Sequence, residues 1–266
     1  MITDDQDPEM EIRAFFERDL KLTVTRIPVS VLRSADFLVD GDGAGYVLEV
    51  KARSDDKDSI AALRAGEVVA GAESLGWARW ALDGVRSARQ QFASSNPPHD
   101  RLWIPCFVVK RSFATDAVFD QIIGTLYGVR QVAYSDSDES GTTSGRDCLH
   151  VVPGAFERWP EIDAAIVARG GAIMLCANEC GDRLAQLHSS CLWNFFAERG
   201  GPITPSDLEL TKGFWSVSDR SLDRSDQSAV ERYLAEKYKT SRVFILDIKS
   251  HYASAVVPDN RHPMRP

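Results

Sequence analysis

The sequence predicts an α/β protein: a three-layer α/β/α core on a mixed sheet, then a C-terminal region of mixed α/β character. Three observations predict it. Apolar spacing in the first half runs helix, three strands, helix, strand, helix, strand. Residues 46–52 carry apolar side chains on both faces of the strand, which implies cover on both sides. The polar stretch 135–147 then interrupts the pattern, and the remainder of the chain is again mixed, without a repeat.

At 266 residues the chain has enough length for one large domain or two small ones. An apolar content of 44% and a charged content of 26% are ordinary for a globular chain. No apolar run approaches membrane-spanning length, and residues 1–5 lack the basic-then-apolar form of a secretion signal. Five cysteines, an odd number, fit reduced thiols and a cytoplasmic location. The net charge of −8 counts against a broad basic surface that coats nucleic acid.

In chain order, Asp7 caps a helix with Pro8 at its first position, and Ile12, Phe15, Phe16 and Leu20 form its apolar face. Glu9 lies near the centreline of that face, Glu11 at its border and Glu17 roughly opposite. Residues 22–30 alternate and are β-branched, so they form a first strand at an edge or ending near Pro28. Strands 36–39 and 46–52 come next, joined by a Gly/Asp-rich turn. Residues 60–74 and 76–93 read as helices, the second with Trp77, Trp80, Ala81, Gly84, Val85, Ala88 and Phe92 in one stripe. Gln91 flanks that stripe, whereas Gln90 points away. A turn at 96–100 leads to a strand at 102–109, a helix at 114–126 and a fifth strand at 129–134.

The polar segment divides the chain into a core (1–134), a linker (135–147) and a C-terminal α/β domain (148–266). In the last, strands are expected at 148–152, 172–176 and 242–249, and helices at 161–169, 183–199 and 227–239.

Three charges interrupt the buried-looking hairpin at 36–52: Asp36, Glu49 and Lys51. Side chains alternate along a strand, so Glu49 and Lys51 share one face while Leu48 and Val50 take the other. Buried charges need partners or a metal. Asp36, with Glu49-Val50-Lys51 on the next strand, resembles the signature of the PD-(D/E)XK nuclease superfamily, with Ala35 in place of the commoner proline. The succession of elements over the first half of the chain is the one that family's core requires.

The resemblance implies a restriction-endonuclease-like fold and a metal-dependent nuclease acting on DNA. It implies Mg²⁺, with Mn²⁺ as a substitute, held by Asp36, Glu49 and the Val50 carbonyl. Lys51 would hold the attacking water or stabilise the transition state. Glu9, with Glu11 as second candidate, would complete the metal shell, and Gln91 would steady it. A homodimer or a partner subunit is compatible with all of this.

Other readings stand beside it. Glu49 and Lys51 also fit a plain ion pair on a half-exposed sheet. The fold without cleavage would be a binding or assembly module, which the acidic balance favours; a phosphodiesterase of small nucleotides is a third reading. Asp136, Asp138, Ser140, Gly141 and Asp147 imitate a calcium loop, but lie between strand-like flanks. Cys176, Cys180, His188 and Cys191 miss the usual zinc spacings. Asp247-Ile248-Lys249 repeats the acid-x-Lys pattern with no helix and strand after it. There is no Gly-x-Ser-x-Gly elbow and no phosphate-binding loop signature, so nucleotide-driven activity would need another subunit.

Overall fold

The computed structural model describes residues 7–28, 34–41, 43–54, 58, 61–62, 65, 67–74, 77–96, 98–110, 115–135, 143–246 and 251–256. Asp7 accepts the Glu9 N–H at 3.1 Å and starts α1 (Pro8–Ala14), which continues through one π-helical turn, Phe15–Asp19. Then come β1 (Thr23–Arg26), β2 (Phe37–Asp40), β3 (Tyr46–Arg53), β4 (Val69–Ser74), α2 (Arg79–Ser95), β5 (Leu102–Val109) and α3 (Thr115–Tyr127). The chain goes on through β6 (Arg130–Ser135), β7 (Thr143–Leu149), α4 (Ala155–Arg158), β8 (Ala164–Arg169) and β9 (Ala172–Ala177). It ends with α5 (Leu184–His188), α6 (Cys191–Ala197), α7 (Pro205–Lys212), β10 (Trp215–Ser216), α8 (Gln227–Tyr238), β11 (Arg242–Ile245) and β12 (His251–Val256).

The main sheet has the order β1-β2-β3-β5-β8-β9 and is mixed. β1, β2 and β3 are antiparallel neighbours, β3, β5 and β8 run parallel, and β9 returns antiparallel. On one face Val47, Phe107 and Val167 pack with Val85 and Phe92 of α2 and Ile122 of α3. On the other, Leu48, Ile104 and Ile166 pack with Ile12 and Phe16 of the first helix and Leu192 of α6. The protein is therefore α/β with helices on both faces, and each of these large side chains contributes about 1.5–3 kcal/mol by leaving water.

All eight residues of β5 are buried, although one of them is Pro105. Leu102 donates its N–H to the carbonyl of Gly45, just before β3, at 2.9 Å, and Lys110 to that of Arg53 at its end at 2.8 Å, so by alternation the missing N–H of Pro105 faces β8. The β5–β8 ladder accordingly begins only at Cys106, and before it the Asp163 carboxylate takes the Trp103 N–H at 2.7 Å.

Several expectations are corrected. The strand expected at 129–134 exists as β6, but it joins a second, four-stranded sheet, β10-β7-β6-β11, covered by α8 through Val132, Cys148, Val243, Val230 and Leu234. The fifth strand of the main sheet is β8, in the stretch 161–169 that reads as a helix. Ala-Ala-Ile-Val-Ala is apolar throughout and buried on both faces, so it carries no period to distinguish strand from helix.

The segment 135–147 does not divide the two sheets, because β6 before it already belongs to the second. β8 and β9, from beyond it, complete the first sheet, and residues 143–147 belong to β7. The helix expected at 60–74 gives way to β4 over its last six residues, where β12 supplies a partner from the far end of the chain. The helix at 183–199 is two helices, broken at Ser189–Ser190, with the Ser190 hydroxyl capping α6 through the Trp193 N–H.

Among the described residues no helix is long and apolar enough to cross a membrane. The calcium-like positions 136, 138, 140 and 141 and the motif 247–249 lie outside the described residues; Asp147 sits in β7 opposite Gln131.

Candidate metal centre at the end of the β2–β3 ladder

β3 outruns β2. Their pairing ends at Phe37–Leu48, and β3 continues to Arg53 paired, among the described residues, with β5 alone. The backbone of Leu48 faces β2, where its carbonyl accepts the Asp36 N–H at 3.0 Å, while the carbonyls of Gly45 and Arg53 face β5. Alternation then turns both the N–H and the C=O of Val50 toward the open side. There the Val50 N–H donates to Asp36 Oδ2 at 2.7 Å. Asp36 is thereby fixed beside the one stretch of β3 whose backbone β2 does not cover.

Glu49 and Lys51 point to the α2 face, as their shared parity with Val47 requires. Glu49 is only 3% exposed. Lys51 Nζ donates to Glu49 Oε1 at 2.5 Å and to Gln91 Oε1 at 3.1 Å. Gln91 also accepts the Ser87 hydroxyl at 3.1 Å, and its Nε2 donates to the Ser34 carbonyl at 3.1 Å, tying α2 to the segment before β2. Gly84 is what lets α2 come this close: a Cβ there would meet Phe107 at 3.1 Å and Lys51 Cγ at 3.7 Å.

The other oxygen of Glu49, Oε2, is buried and has no hydrogen-bond partner. Burial pushes the Glu49 carboxyl up to about 7, against the lowering influence of Lys51 and of the neighbouring Gln91 amide, and the nearby Asp36 charge pushes it further up. Leaving a buried carboxylate oxygen without a donor costs more than an ordinary lost hydrogen bond. A cation at Oε2 would offset that cost. Oxygen donors from Asp36 and Glu49, with the Val50 carbonyl on the same open side, are the hard ligands that Mg²⁺ prefers.

Glu9 approaches from the opposite layer. Burial raises its carboxyl and the Asp36 charge adds to that, while Arg26 opposes it. Arg26 Nη2 lies 2.7 Å from Glu9 Oε2 in an ion pair, and that oxygen is itself buried and makes no hydrogen bond. Glu11 does not join them; after burial, its strongest influence is Lys110.

The structure thus brings Asp36, Glu49, Val50, Lys51 and Gln91 together and sets Glu9 at their border, engaged by Arg26. Among the described residues no set of three or more His, Cys, Asp or Glu side chains is placed to hold a metal ion; the candidate donors here are two carboxylates and a backbone carbonyl. The zinc-like residues are dispersed: Cys176 is buried in β9, His188 lies against the Trp193 ring, and Cys191 meets the Tyr46 hydroxyl at 3.4 Å. Arg26 is the member that the sequence alone does not disclose. Its place beside Asp36 depends on the β1–β2 register, which pairs it with Phe37. No protein-family model, no curated protein and no solved structure matches the chain.

Proposed function

We propose that the protein is a metal-dependent nuclease of the PD-(D/E)XK kind, hydrolysing phosphodiester bonds in DNA at Asp36, Glu49 and Lys51. The observation that carries this reading is the orphaned, buried Oε2 of Glu49 beside a carboxylate anchored on the uncovered stretch of β3. The order of elements supports it too. Helix, three strands, helix, strand, helix, strand is present in the main sheet once β8 takes the last place. Five free thiols fit a reducing compartment such as the cytoplasm.

Asp36, Glu49 and the Val50 carbonyl would hold Mg²⁺ or Mn²⁺. When bound there, the ion supplies Lewis acidity and a lowered pKa for a coordinated water. The chain's own groups do the rest. Lys51 has three donors, two of them directed at Glu49 and Gln91, and the third is left for a phosphoryl oxygen or the attacking water. Gln91 keeps the ammonium on the Glu49 side through its own bonds to Ser87 and Ser34. The Val50 N–H holds Asp36 in the orientation that binding needs.

Incubation of the purified protein with plasmid and single-stranded DNA, in Mg²⁺, Mn²⁺ or EDTA, tests the reading. Cleavage with either ion, lost in EDTA and in Asp36→Ala, is expected. No cleavage of any DNA form or of small cyclic nucleotides would leave the non-cleaving module, which the net charge of −8 favours. Gln91→Ala should lower kcat about tenfold while KM for DNA holds, because it loosens Lys51 without removing a ligand. A fall in DNA affinity instead would place Gln91 in substrate binding.

A further inference from the structure

We infer that Arg26 occupies the position of a second cation, so that this chain works with one divalent ion where Glu9 and Asp36 would otherwise hold another. The inference rests on the metal-centre reading above and adds to it the number of ions.

Arg26 ends β1, and the next residue, Ile27, donates its N–H to the Asp36 carbonyl at 2.9 Å. The guanidinium therefore starts from a backbone adjacent to Asp36 and reaches Glu9 Oε2 at 2.7 Å. That oxygen is buried and has no hydrogen bond, and the Asp36 charge acts on Glu9 as it does on Glu49. The Asp36 charge thus acts on two acids that approach from opposite layers, Glu9 on the first helix and Glu49 facing α2. The Glu49 side has the uncovered Val50 carbonyl and an oxygen with no donor; the Glu9 side already has a cation in contact. A guanidinium keeps its charge at every pH at which the protein is folded, so the Arg26–Glu9 pair is cationic on the Arg26 side throughout.

Charge balance agrees. Glu9, Asp36 and Glu49 against Lys51 and Arg26 leave one net negative charge. One divalent ion reverses it, and the single charge of a phosphodiester then brings the loaded site to neutrality. A second ion in addition to Arg26 would leave two uncompensated positive charges beside the substrate. Arg26 is a positioning residue in this scheme: it holds Glu9 away from the ion.

Mn²⁺ titrated into the full chain above about pH 7, where Glu49 is ionised, counts the sites by electron paramagnetic resonance of the free ion. One bound ion is expected for the native chain, two for Arg26→Met, and one again for Arg26→Met combined with Glu9→Gln. Glu9→Gln alone should still bind one ion, an arm that does not depend on how well the Arg26 variant folds. Two ions on the native chain, one on a folded Arg26→Met, or loss of the ion in Glu9→Gln would overturn the inference. No ion on the native chain would instead overturn the metal-centre reading itself.

Discussion

Glu49→Gln is expected to abolish Mg²⁺-dependent cleavage and, in metal-free protein above pH 7, to raise the melting temperature. The loss of activity, about a thousandfold or more, follows from removing one of two carboxylate ligands. The gain in stability follows from burial. The folded-state pKa of Glu49 is raised from an ordinary 4.5 to about 7, so the folded chain holds this proton more tightly than the unfolded chain. Its contribution is accordingly a loss of stability that sets in as pH rises above the ordinary carboxylate range and is complete above about pH 7. The size is on the order of 3 kcal/mol, since each pK unit is worth about 1.4 kcal/mol. Glutamine keeps the shape and an acceptor for Lys51 without the charge. Thermal melts at pH 5 and pH 8 in EDTA should converge for native and variant at the lower pH and separate at the higher, with the variant more stable. A variant less stable at pH 8 would mean that the Lys51 pair more than offsets the cost of burying Glu49.

Arg183→Met is expected to be the most destabilising substitution among those of the charged clusters. Asp163 is 2% exposed and is held by the Trp103 N–H and by Arg183, whose Nε reaches Oδ1 at 3.2 Å and whose Nη2 bonds Oδ2. Arg183 also donates to the His99 carbonyl at 2.8 Å, so one guanidinium joins the start of α5 to the turn before β5. Burial still pushes the Asp163 carboxyl up to about 6 against these donors. Without the guanidinium the carboxylate stays buried and unpaired, at a cost of about 3–5 kcal/mol. The sign with pH is fixed. In the native chain the Asp163 carboxyl sits at about 6 with Arg183 lowering it, so in Arg183→Met it is pushed higher still; the penalty is largest at the highest pH and shrinks as pH falls and the proton neutralises the group. Urea denaturation at pH 8 and pH 5 measures the difference; a penalty below about 1 kcal/mol at pH 8 would make this a surface-type pair.

The candidate site is largely legible in the sequence because its information is local. Asp36, Glu49 and Lys51 violate the apolar pattern of two adjacent strands, and Gln91 sits at a helix position whose offset from Phe92 and Ala88 can be counted. Pairing is not legible in the same way. β6 pairs with β11, whose residues are more than a hundred positions later, and nothing inside residues 130–135 says which sheet they join. β8 and β9 read as part of a separate domain because a polar stretch before them looks like a linker. Here β6 before it and β7 at its end pair in the second sheet, after which the chain returns to the first. The helix expected at 161–169 fails for want of any polar face. Arg26 is silent because its neighbour Phe37 becomes one only when β1 and β2 are in register.

A crystal of the native chain soaked in Mn²⁺, with anomalous scattering recorded at the manganese edge, asks whether Asp36 and the buried Oε2 of Glu49 grip one divalent ion on the uncovered stretch of β3. A single peak is expected, within coordination distance of Asp36, Glu49 Oε2 and the Val50 carbonyl. No peak there, with Lys51 still closed onto Glu49, would contradict the metal centre and the nuclease activity proposed for it.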